Sequence, residues 1–282
     1  MSSAPANRDA MAPATRTSRV AAIQMVSGAN VDENLAQAGR LIEQAAARGA
    51  QLVALPEYFC IMGMKDTDKV AVREAEGDGP IQNFLSSTAK KHGMWIVGGS
   101  APLVCDDPGK VRNSSLVYDA AGQQVARYDK IHLFGFQMGD EHYHEARTIE
   151  PGDTPVTVDT PFGRLGLSIC YDLRFPELYR AMKDVDIILV PSAFTETTGR
   201  AHWETLLRAR AIENLAYVLA PAQGGRHANG RETHGDSMII DSWGVVLDRL
   251  RRGAGVVMAD VNLDRMQGLR RNLPALTHRT LR

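Results

Sequence analysis

The chain has little cysteine, no excess of charge of either sign and no long hydrophobic run. Its three cysteines, Cys60, Cys105 and Cys170, are odd in number, widely spaced and without a CxxC pair, so we expect free thiols in a reducing cytoplasm. Lys and Arg total 32 against 33 Asp and Glu, which gives no field that would attract nucleic acid or acidic lipid. No apolar run reaches the ~18 residues that a membrane span requires. The composition therefore predicts a soluble protein with neither nucleic acid nor membrane as a partner.

What the chain does have is length. A chain of 282 residues can bury roughly three quarters of its unfolded surface, so one large domain needs no disulfide or metal to hold it together. Residues 1–18 are rich in Ala, Ser, Thr, Pro and Arg and predict a disordered or extended N-terminal arm. Residues 19–282 contain no linker, repeat or charge block and predict one domain.

Short apolar strands alternate with amphipathic helices along this domain. The predicted strands are 20–25, 52–55, 95–98, 115–118, 124–127, 165–170, 187–190 and 217–220. The predicted helices are 31–47, 80–92, 176–182 and 203–214, and hairpin turns are predicted at 119–122 and 241–244. This mixture of βα units and hairpins predicts an α/β sandwich, in which two sheets pack together and each is covered by helices on its other face.

The most informative segment is a strand that runs directly into a cysteine. Residues 163–177 read GRLGLSICYDLRFPE, so an apolar strand meets Cys170 and a helix opens at Pro176. A sharp turn there can expose both the thiol and the following backbone N–H, as a nucleophile with its own oxyanion donor requires. The alternative is that Cys170 is a small buried apolar residue, as most free cysteines are.

A thiol nucleophile needs a base, because at an unperturbed pKa of ~8.5 only a few per cent of it is ionised at neutral pH. None of the eight histidines stands out as that base, and His142 and His144 fall in what reads as a polar loop. By contrast, Glu57 and Lys130 each follow an apolar segment, where an active site is more easily built than on a solvated face. Taken alone, each of the two is more often an ordinary surface charge.

Together the three segments resemble the nitrilase superfamily of carbon–nitrogen hydrolases, whose catalytic Glu, Lys and Cys occur in that order. LPEY contains Glu57, YDKIHLF contains Lys130 and CYDLRFPE contains Cys170. The resemblance covers nearly the whole chain and includes GGS, NSS, EARTIEPGDTP, PSAFTETTGRAHWE and RARAIEN. It implies a four-layer α-β-β-α sandwich of the nitrilase type, with 19–282 as the carbon–nitrogen hydrolase domain. It also implies that Glu145 is the family's second glutamate, which hydrogen-bonds the lysine.

The mechanism that the resemblance implies uses no metal or organic cofactor. Glu57 takes the thiol proton, Cys170 attacks an amide carbonyl, and Lys130 and the backbone N–H of Tyr171 stabilise the oxyanion. Glu57 then protonates the leaving nitrogen and activates the water that hydrolyses the thioester. Lys130 is expected to stay charged, since two neighbouring carboxylates offset its desolvation.

The sequences of these motifs are most similar to those of the branch that contains deaminated glutathione amidase and, more distantly, omega-amidase. Both hydrolyse amides of 2-oxo dicarboxylic acids, which implies a small carboxylate-bearing amide, most directly deaminated glutathione. Arg174 has the planar, two-pronged geometry that binds a carboxylate, although a structural Arg174 that caps the following helix is the alternative. Phe194 and Thr198 are weaker candidates for shaping the pocket, with core packing and loop capping as alternatives.

Other interpretations stay open. They are an omega-amidase acting on 2-oxoglutaramate, an N-carbamoyl amino acid or ureidopropionate hydrolase, a metallohydrolase built on His142 and His144, and a non-catalytic scaffold. Asp236, Ser242 and Leu215 depart from the usual sequence pattern of the branch, which leaves the details of the pocket and of subunit contacts open. The resemblance also suggests a homodimer or larger homo-oligomer with helices at the interface.

Overall fold

The computed structural model describes residues 16–139 and 141–280. Its first half contains, in chain order, β1 (Thr17–Gln24), α1 (Val31–Ala47), β2 (Leu52–Ala54), α2 (Asp68–Ala71), α3 (Pro80–His92), β3 (Trp95–Val97), β4 (Ala101–Leu103), β5 (Arg112–Tyr118), β6 (Gln124–Asp129), β7 (Gly135–Met138) and β8 (Glu141–His144). Its second half contains β9 (Thr157–Thr160), β10 (Gly163–Leu167), α4 (Pro176–Ala181), β11 (Ile187–Leu189), α5 (Glu196–Asn214), β12 (Tyr217–Ala220), β13 (Gly224–Arg226), β14 (Glu232–His234), β15 (Ser237–Ile240), β16 (Val246–Leu250), β17 (Gly255–Asn262) and α6 (Leu263–Asn272).

These strands form two main sheets. The first has the order β17-β1-β2-β3-β5-β4, with β6 paired to β5, and the second has the order β16-β15-β12-β11-β10-β9. Strands β1, β2 and β3 are parallel in the first sheet, and β10, β11 and β12 are parallel in the second. Two further pairs, β7 with β8 and β13 with β14, are short antiparallel hairpins.

The alternation of side chains along β1 shows how the layers form. Val20 and Ala22 belong to the core between the two sheets, whereas Ala21 and Ile23 belong to the core that packs under α1 and α3. All four are fully buried, because successive residues of a strand point to opposite faces and this strand is covered on both. The fold is therefore the predicted four-layer α-β-β-α sandwich.

Helix α1 follows the apolar stripe that predicted it. Asn30 caps its start by accepting from the Glu33 N–H at 3.1 Å, and the helix ends before Arg48 as expected. Helix α3 occupies the predicted 80–92, and both predicted hairpins are confirmed, as β5–β6 and β15–β16.

The largest differences from the prediction are two boundaries and one element type. The strand expected at 165–170 ends at Leu167, and Cys170 begins a 3₁₀ helix instead. The helix expected at 203–214 starts at Glu196, where the Thr195 hydroxyl caps it. The segment of His142 and His144, expected to be a loop, is strand β8.

The N-terminal arm was predicted for residues 1–18. Residues 1–15 lie outside the described residues, while Thr17 and Ser18 already pair in β1 with Asn262 and Val261 of β17. Within residues 16–139 and 141–280, no helix combines the length and the apolar character that a bilayer span requires.

Candidate active site

Seven of the eight predicted site residues line one narrow pocket, and the eighth, Lys130, pairs with Glu57 and Glu145 of its lining. Glu57 follows β2, Lys130 follows β6 and Cys170 comes shortly after β10, so the pocket lies where strands of both sheets end. Glu145 begins the 3₁₀ helix that follows β8. The structure thus brings together residues that are distant in sequence.

Glu57 is almost fully buried, and both of its carboxylate oxygens are hydrogen-bonded. Oε1 accepts from Lys130 Nζ at 2.9 Å and from Asn113 Nδ2 at 3.0 Å. Oε2 accepts from the backbone N–H of Ala193 at 2.9 Å. These donors come from three separate chain segments, so the carboxylate has one defined orientation towards the pocket.

Lys130 bridges the two glutamates. Its Nζ lies 2.9 Å from Glu57 Oε1 and 2.8 Å from Glu145 Oε2, and its side chain has no exposed surface. Burial lowers the pKa of Lys130, but the attraction of Glu145 and Glu57 outweighs burial and raises this pKa above its ordinary value. The ammonium is therefore held charged, as the resemblance implied.

Glu145 completes this charged cluster. Its Oε1 accepts from the Tyr58 hydroxyl at 2.9 Å, and its Oε2 accepts from the Phe134 N–H at 2.8 Å in addition to Lys130. Burial raises the pKa of Glu145, but Lys130 and the Phe134 amide outweigh burial and lower it. Glu145 is thus an ionised carboxylate across the neutral pH range.

Cys170 occupies a left-handed backbone conformation with φ of 51°, which costs a non-glycine residue on the order of 1 kcal/mol. Its N–H donates to the Pro191 carbonyl at 2.9 Å, which fixes the turn. Burial and the carboxylate of Glu57 raise the pKa of the Cys170 thiol well above its ordinary value, although Lys130 acts in the opposite direction. The resting thiol is therefore protonated and needs a base to become nucleophilic.

The backbone N–H of Tyr171 is available beside this thiol. The first hydrogen bond of the 3₁₀ helix is made by the Asp172 N–H to the Ile169 carbonyl at 3.1 Å, so the helix does not use the Tyr171 amide. An amide directly after the nucleophile, together with the Lys130 ammonium, can stabilise a negative oxygen that forms next to the sulfur.

The predicted substrate-binding residues surround the pocket. The Arg174 guanidinium lies over the rings of Tyr171 and Phe194, with its carbon 5.7 and 5.4 Å from their centroids, and its Nη1 lies 3.3 Å from His202 Nδ1. Phe194 also packs on Trp203. The Thr198 N–H donates to the Thr195 hydroxyl, so Thr198 takes part in capping α5 as well as lining the pocket.

Several contacts in the site were not predicted, among them those of Asn113, Tyr58, Phe134, Ala193 and Arg231. Asn113 lies in the NSS motif on strand β5, where a buried polar run in an otherwise apolar strand was the available signal. Tyr58 directly follows Glu57 and also has a left-handed backbone, with φ of 55°. Arg231 precedes β14 in a polar hairpin that nothing in the sequence distinguishes from a solvated loop.

The positions that depart from the branch pattern lie away from this pocket among the described residues. The Asp236 carboxylate pairs with Arg249, whose Nε lies 2.9 Å from Oδ1. Leu215 ends α5 in a left-handed conformation, and Ser242 is buried in the turn between β15 and β16. The two histidines of β8 lie in no group of three or more potential metal ligands within 16–139 and 141–280.

The structure has the features of a nitrilase-type hydrolase. Two sheets are stacked, and a buried thiol, an ammonium and two carboxylates lie together near the strand ends. A family model described as carbon-nitrogen hydrolase matches residues 19–271, and the chain belongs to the carbon-nitrogen hydrolase family.

Individual relatives agree with this assignment. The chain is 44% identical over 265 residues to the deaminated glutathione amidase of Synechocystis sp., covering 92% of this chain and 97% of the relative. It is 37% identical to the human protein of that name, covering 92% and 81%. The crystal structure of Saccharomyces cerevisiae Nit3, a member of branch 10 of the nitrilase superfamily, superposes with a TM-score of 0.84 at 29% identity, covering 94% and 97%. The chain is accordingly a hydrolase that acts on amides.

Proposed function

We propose that this hydrolase cleaves a small carboxylate-bearing amide, most directly deaminated glutathione, through a thioester on Cys170. The observation that carries the proposal is the buried cluster in which Lys130 joins Glu57 and Glu145 beside the Cys170 thiol. The relatives named deaminated glutathione amidase, at 37 to 44% identity over most of the chain, support the choice of substrate.

In the first half of the reaction, the Cys170 thiol loses its proton to Glu57 and the sulfur attacks the amide carbonyl. Oε1 of Glu57 already accepts two hydrogen bonds, whereas Oε2 accepts one, so Oε2 has a lone pair left for this proton. The carbonyl π electrons move to the oxygen, and Lys130 and the Tyr171 amide stabilise the oxyanion. Glu57 returns the proton to the leaving nitrogen as the carbon–nitrogen bond breaks.

In the second half, water replaces the amine. Glu57, again a carboxylate, takes a proton from the water while the water oxygen attacks the thioester carbonyl. The same oxyanion donors act on this second tetrahedral intermediate. When it collapses, the carbon–sulfur bond breaks, the acid is released, and the proton on Glu57 returns to the Cys170 sulfur.

Specificity for a carboxylate rests on Arg174 in this proposal. Its guanidinium lies over two aromatic rings, and no carboxylate of the described residues lies within 4 Å of it, so the donors other than Nη1, which lies 3.3 Å from His202 Nδ1, can bind an anionic substrate group. Tyr171, Phe194 and Thr198 would then shape the space around the substrate.

The test is a hydrolysis screen with purified protein and a Cys170→Ala control. The substrates are deaminated glutathione, 2-oxoglutaramate and N-carbamoyl-β-alanine. We expect the highest kcat/KM for deaminated glutathione and no turnover by Cys170→Ala. Faster release of ammonia from 2-oxoglutaramate would favour an omega-amidase instead, and ammonia with carbon dioxide from the third substrate would favour a carbamoyl hydrolase. Equal, negligible rates in both proteins would reject all three.

We further propose that the protein works in the cytoplasm as a homodimer or larger homo-oligomer. Three free cysteines fit a reducing compartment. Sedimentation at several protein concentrations tests the assembly, and a single species of monomer mass at every concentration would exclude it.

A further inference from the structure

Arg231 lines the same pocket as Cys170, but none of the reaction steps above uses it. It reaches the pocket from the hairpin of β13 and β14, on a different chain segment from Arg174. Its backbone is fixed, because its N–H donates to Asn229 Oδ1 at 2.9 Å and its carbonyl accepts from the His227 N–H at 2.9 Å. The position of this cation at the pocket is therefore built into the hairpin.

The Arg231 guanidinium is only partly used by the protein. Nη2 donates to the Ala193 carbonyl at 2.9 Å, and the guanidinium carbon lies 5.1 Å from the centroid of the Tyr143 ring. Nε is buried and has no hydrogen-bond partner among the described residues. A buried donor without an acceptor destabilises the protein, more so on a charged group, so a ligand that supplies an acceptor there would remove this penalty.

The charges of the pocket point to the nature of that acceptor. Glu57 and Glu145 are both paired with Lys130, whereas neither Arg174 nor Arg231 has a carboxylate within 4 Å among residues 16–139 and 141–280. With a neutral thiol, two carboxylates face one ammonium and two guanidinium groups. This pocket carries a positive charge that an anionic substrate would balance.

We infer that Arg231 is a second carboxylate anchor, which binds a substrate carboxylate through Nε and an adjacent N–H. The inference rests on the proposed function and adds a specificity-determining residue to it. Deaminated glutathione carries one carboxylate on its 2-oxo acid and another on its leaving dipeptide, while 2-oxoglutaramate carries only the first. A pocket with two unpaired guanidinium groups on different segments suits an amide with two anionic ends.

A purely structural role for Arg231 is the competing explanation. The Ala193 carbonyl that it binds belongs to the residue whose N–H holds Glu57 Oε2 at 2.9 Å. Loss of Arg231 could thus disturb Glu57, and this disturbance would slow every amide substrate by a similar factor. The two roles are separated by comparing substrates that differ only in the carboxylate.

The experiment compares Arg231→Met and Arg231→Lys with wild type on glutaramate and on pentanamide, which has the same chain length without the carboxylate. We expect Arg231→Met to lower kcat/KM for glutaramate by about 10- to 100-fold, mainly through KM, as is typical of a lost charged hydrogen bond. Pentanamide should change by less than about threefold, and Arg231→Lys should recover part of the loss. The same proteins can be compared without turnover. 2-Oxoglutarate bound in the pocket should protect Cys170 against an alkylating reagent in wild type, and less so in Arg231→Met.

Two further substrates show which carboxylate is bound. A loss on both 2-oxoglutaramate and deaminated glutathione assigns Arg231 to the 2-oxo acid, and a loss on deaminated glutathione alone assigns it to the dipeptide. Equal losses on glutaramate and pentanamide, or no loss on any of glutaramate, 2-oxoglutaramate and deaminated glutathione, would overturn the inference. Wild-type protein that hydrolyses none of these amides would instead overturn the proposed function, so the two failures are distinguishable.

Discussion

The Tyr128 hydroxyl donates to Oδ2 of Asp172 at 2.7 Å, and both side chains are buried. Tyr128 lies two residues before Lys130, and Asp172 lies two residues after Cys170. The same carboxylate also accepts from the Ile169 N–H at 2.9 Å, at the start of the cysteine turn. One buried carboxylate thus joins the segment that carries the ammonium to the turn that carries the thiol.

This relationship predicts that Tyr128→Phe lowers kcat without changing KM much. Loss of a hydrogen bond to a buried charge should destabilise the fold by about 1.5–3 kcal/mol and loosen the cysteine turn. Steady-state kinetics and chemical denaturation measure the two effects. Tyr118→Phe on β5 is the matched control, because its hydroxyl makes only a 3.3 Å contact with Gln124 Oε1. A kcat that falls equally in both variants would show that Asp172 does not position the turn.

Lys130→Met should lower kcat on the order of 10²-fold or more, because it removes an oxyanion donor. It also leaves Glu57 and Glu145 buried without their cation, which typically destabilises a protein by about 3–5 kcal/mol. Activity is therefore measured well below the midpoint of thermal unfolding. Lys69→Met is the control, since the half-buried Lys69 lies near Glu145 without bonding Glu57, and a few-fold change is expected there. Comparable losses in both variants would contradict a specific role for Lys130.

The raised pKa of Cys170 predicts that the resting thiol is neutral. A Cys105→Ser background removes the more accessible thiol, and ultraviolet absorbance with and without Cys170→Ala then reports the thiolate. We expect no thiolate signal at neutral pH. A signal there would mean that Lys130 alone ionises the sulfur and that Glu57 is not needed as the base.

The raised pKa of Cys170 also makes the stability of the protein depend on pH. A thiol released on unfolding ionises above pH ~8.5, whereas the folded thiol keeps its proton, so the folded state binds more protons in this range. The free energy of unfolding should therefore fall as pH rises above ~8.5, by up to about 1.4 kcal/mol per pH unit from this group. In the Cys105→Ser background, Cys170→Ala should make this part of the profile less steep, and the buried Cys60 thiol, whose pKa burial also raises, contributes to the slope that remains. An unchanged slope would contradict the assignment.

Much of the site could be predicted because its chemistry-bearing residues follow apolar strands. Glu57 and Cys170 are each visible as a polar or reactive side chain after a buried apolar strand, whereas Lys130 follows Tyr128, the one buried residue of the otherwise partly exposed strand β6. That these ends meet depends on sheet order, which no local pattern encodes, and the family resemblance supplied it. The apolar run continues to Ile169, so the strand was predicted to reach Cys170, whereas hydrogen bonds to Asp172 turn the backbone earlier.

Contacts made by backbone or by hairpins could not be predicted in this way. The Ala193 N–H that holds Glu57 is invisible in a sequence, because every residue except proline has one. Strand β8 reads EHYH, in which Tyr143 is the one apolar residue, so its alternation was too short to recognise. Arg231 resembles any surface arginine until the fold brings it to the lining of the pocket, with its buried Nε lacking a hydrogen-bond partner among the described residues.

A glycine behind Glu57 provides a final prediction. Gly99 has φ of 53°, and a Cβ atom there would lie 2.1 Å from the Pro56 carbonyl oxygen, directly before Glu57. The adjoining Ser100 hydroxyl accepts from the Tyr58 N–H at 3.0 Å, so this loop supports the Glu57 segment from behind. Gly99→Ala should therefore displace the Pro56–Tyr58 backbone and with it the Glu57 carboxylate.

The matched control for this change is Gly49→Ala. Gly49 also has a positive φ, of 84°, but a Cβ atom there would meet nothing within 4 Å. Gly49→Ala should cost about 1–2 kcal/mol of stability through backbone strain alone and leave kcat unchanged. Gly99→Ala should cost more and lower kcat at temperatures where it is fully folded, as judged by circular dichroism. If both variants lose the same stability and keep full activity, the close approach of Gly99 to Pro56 does not position Glu57.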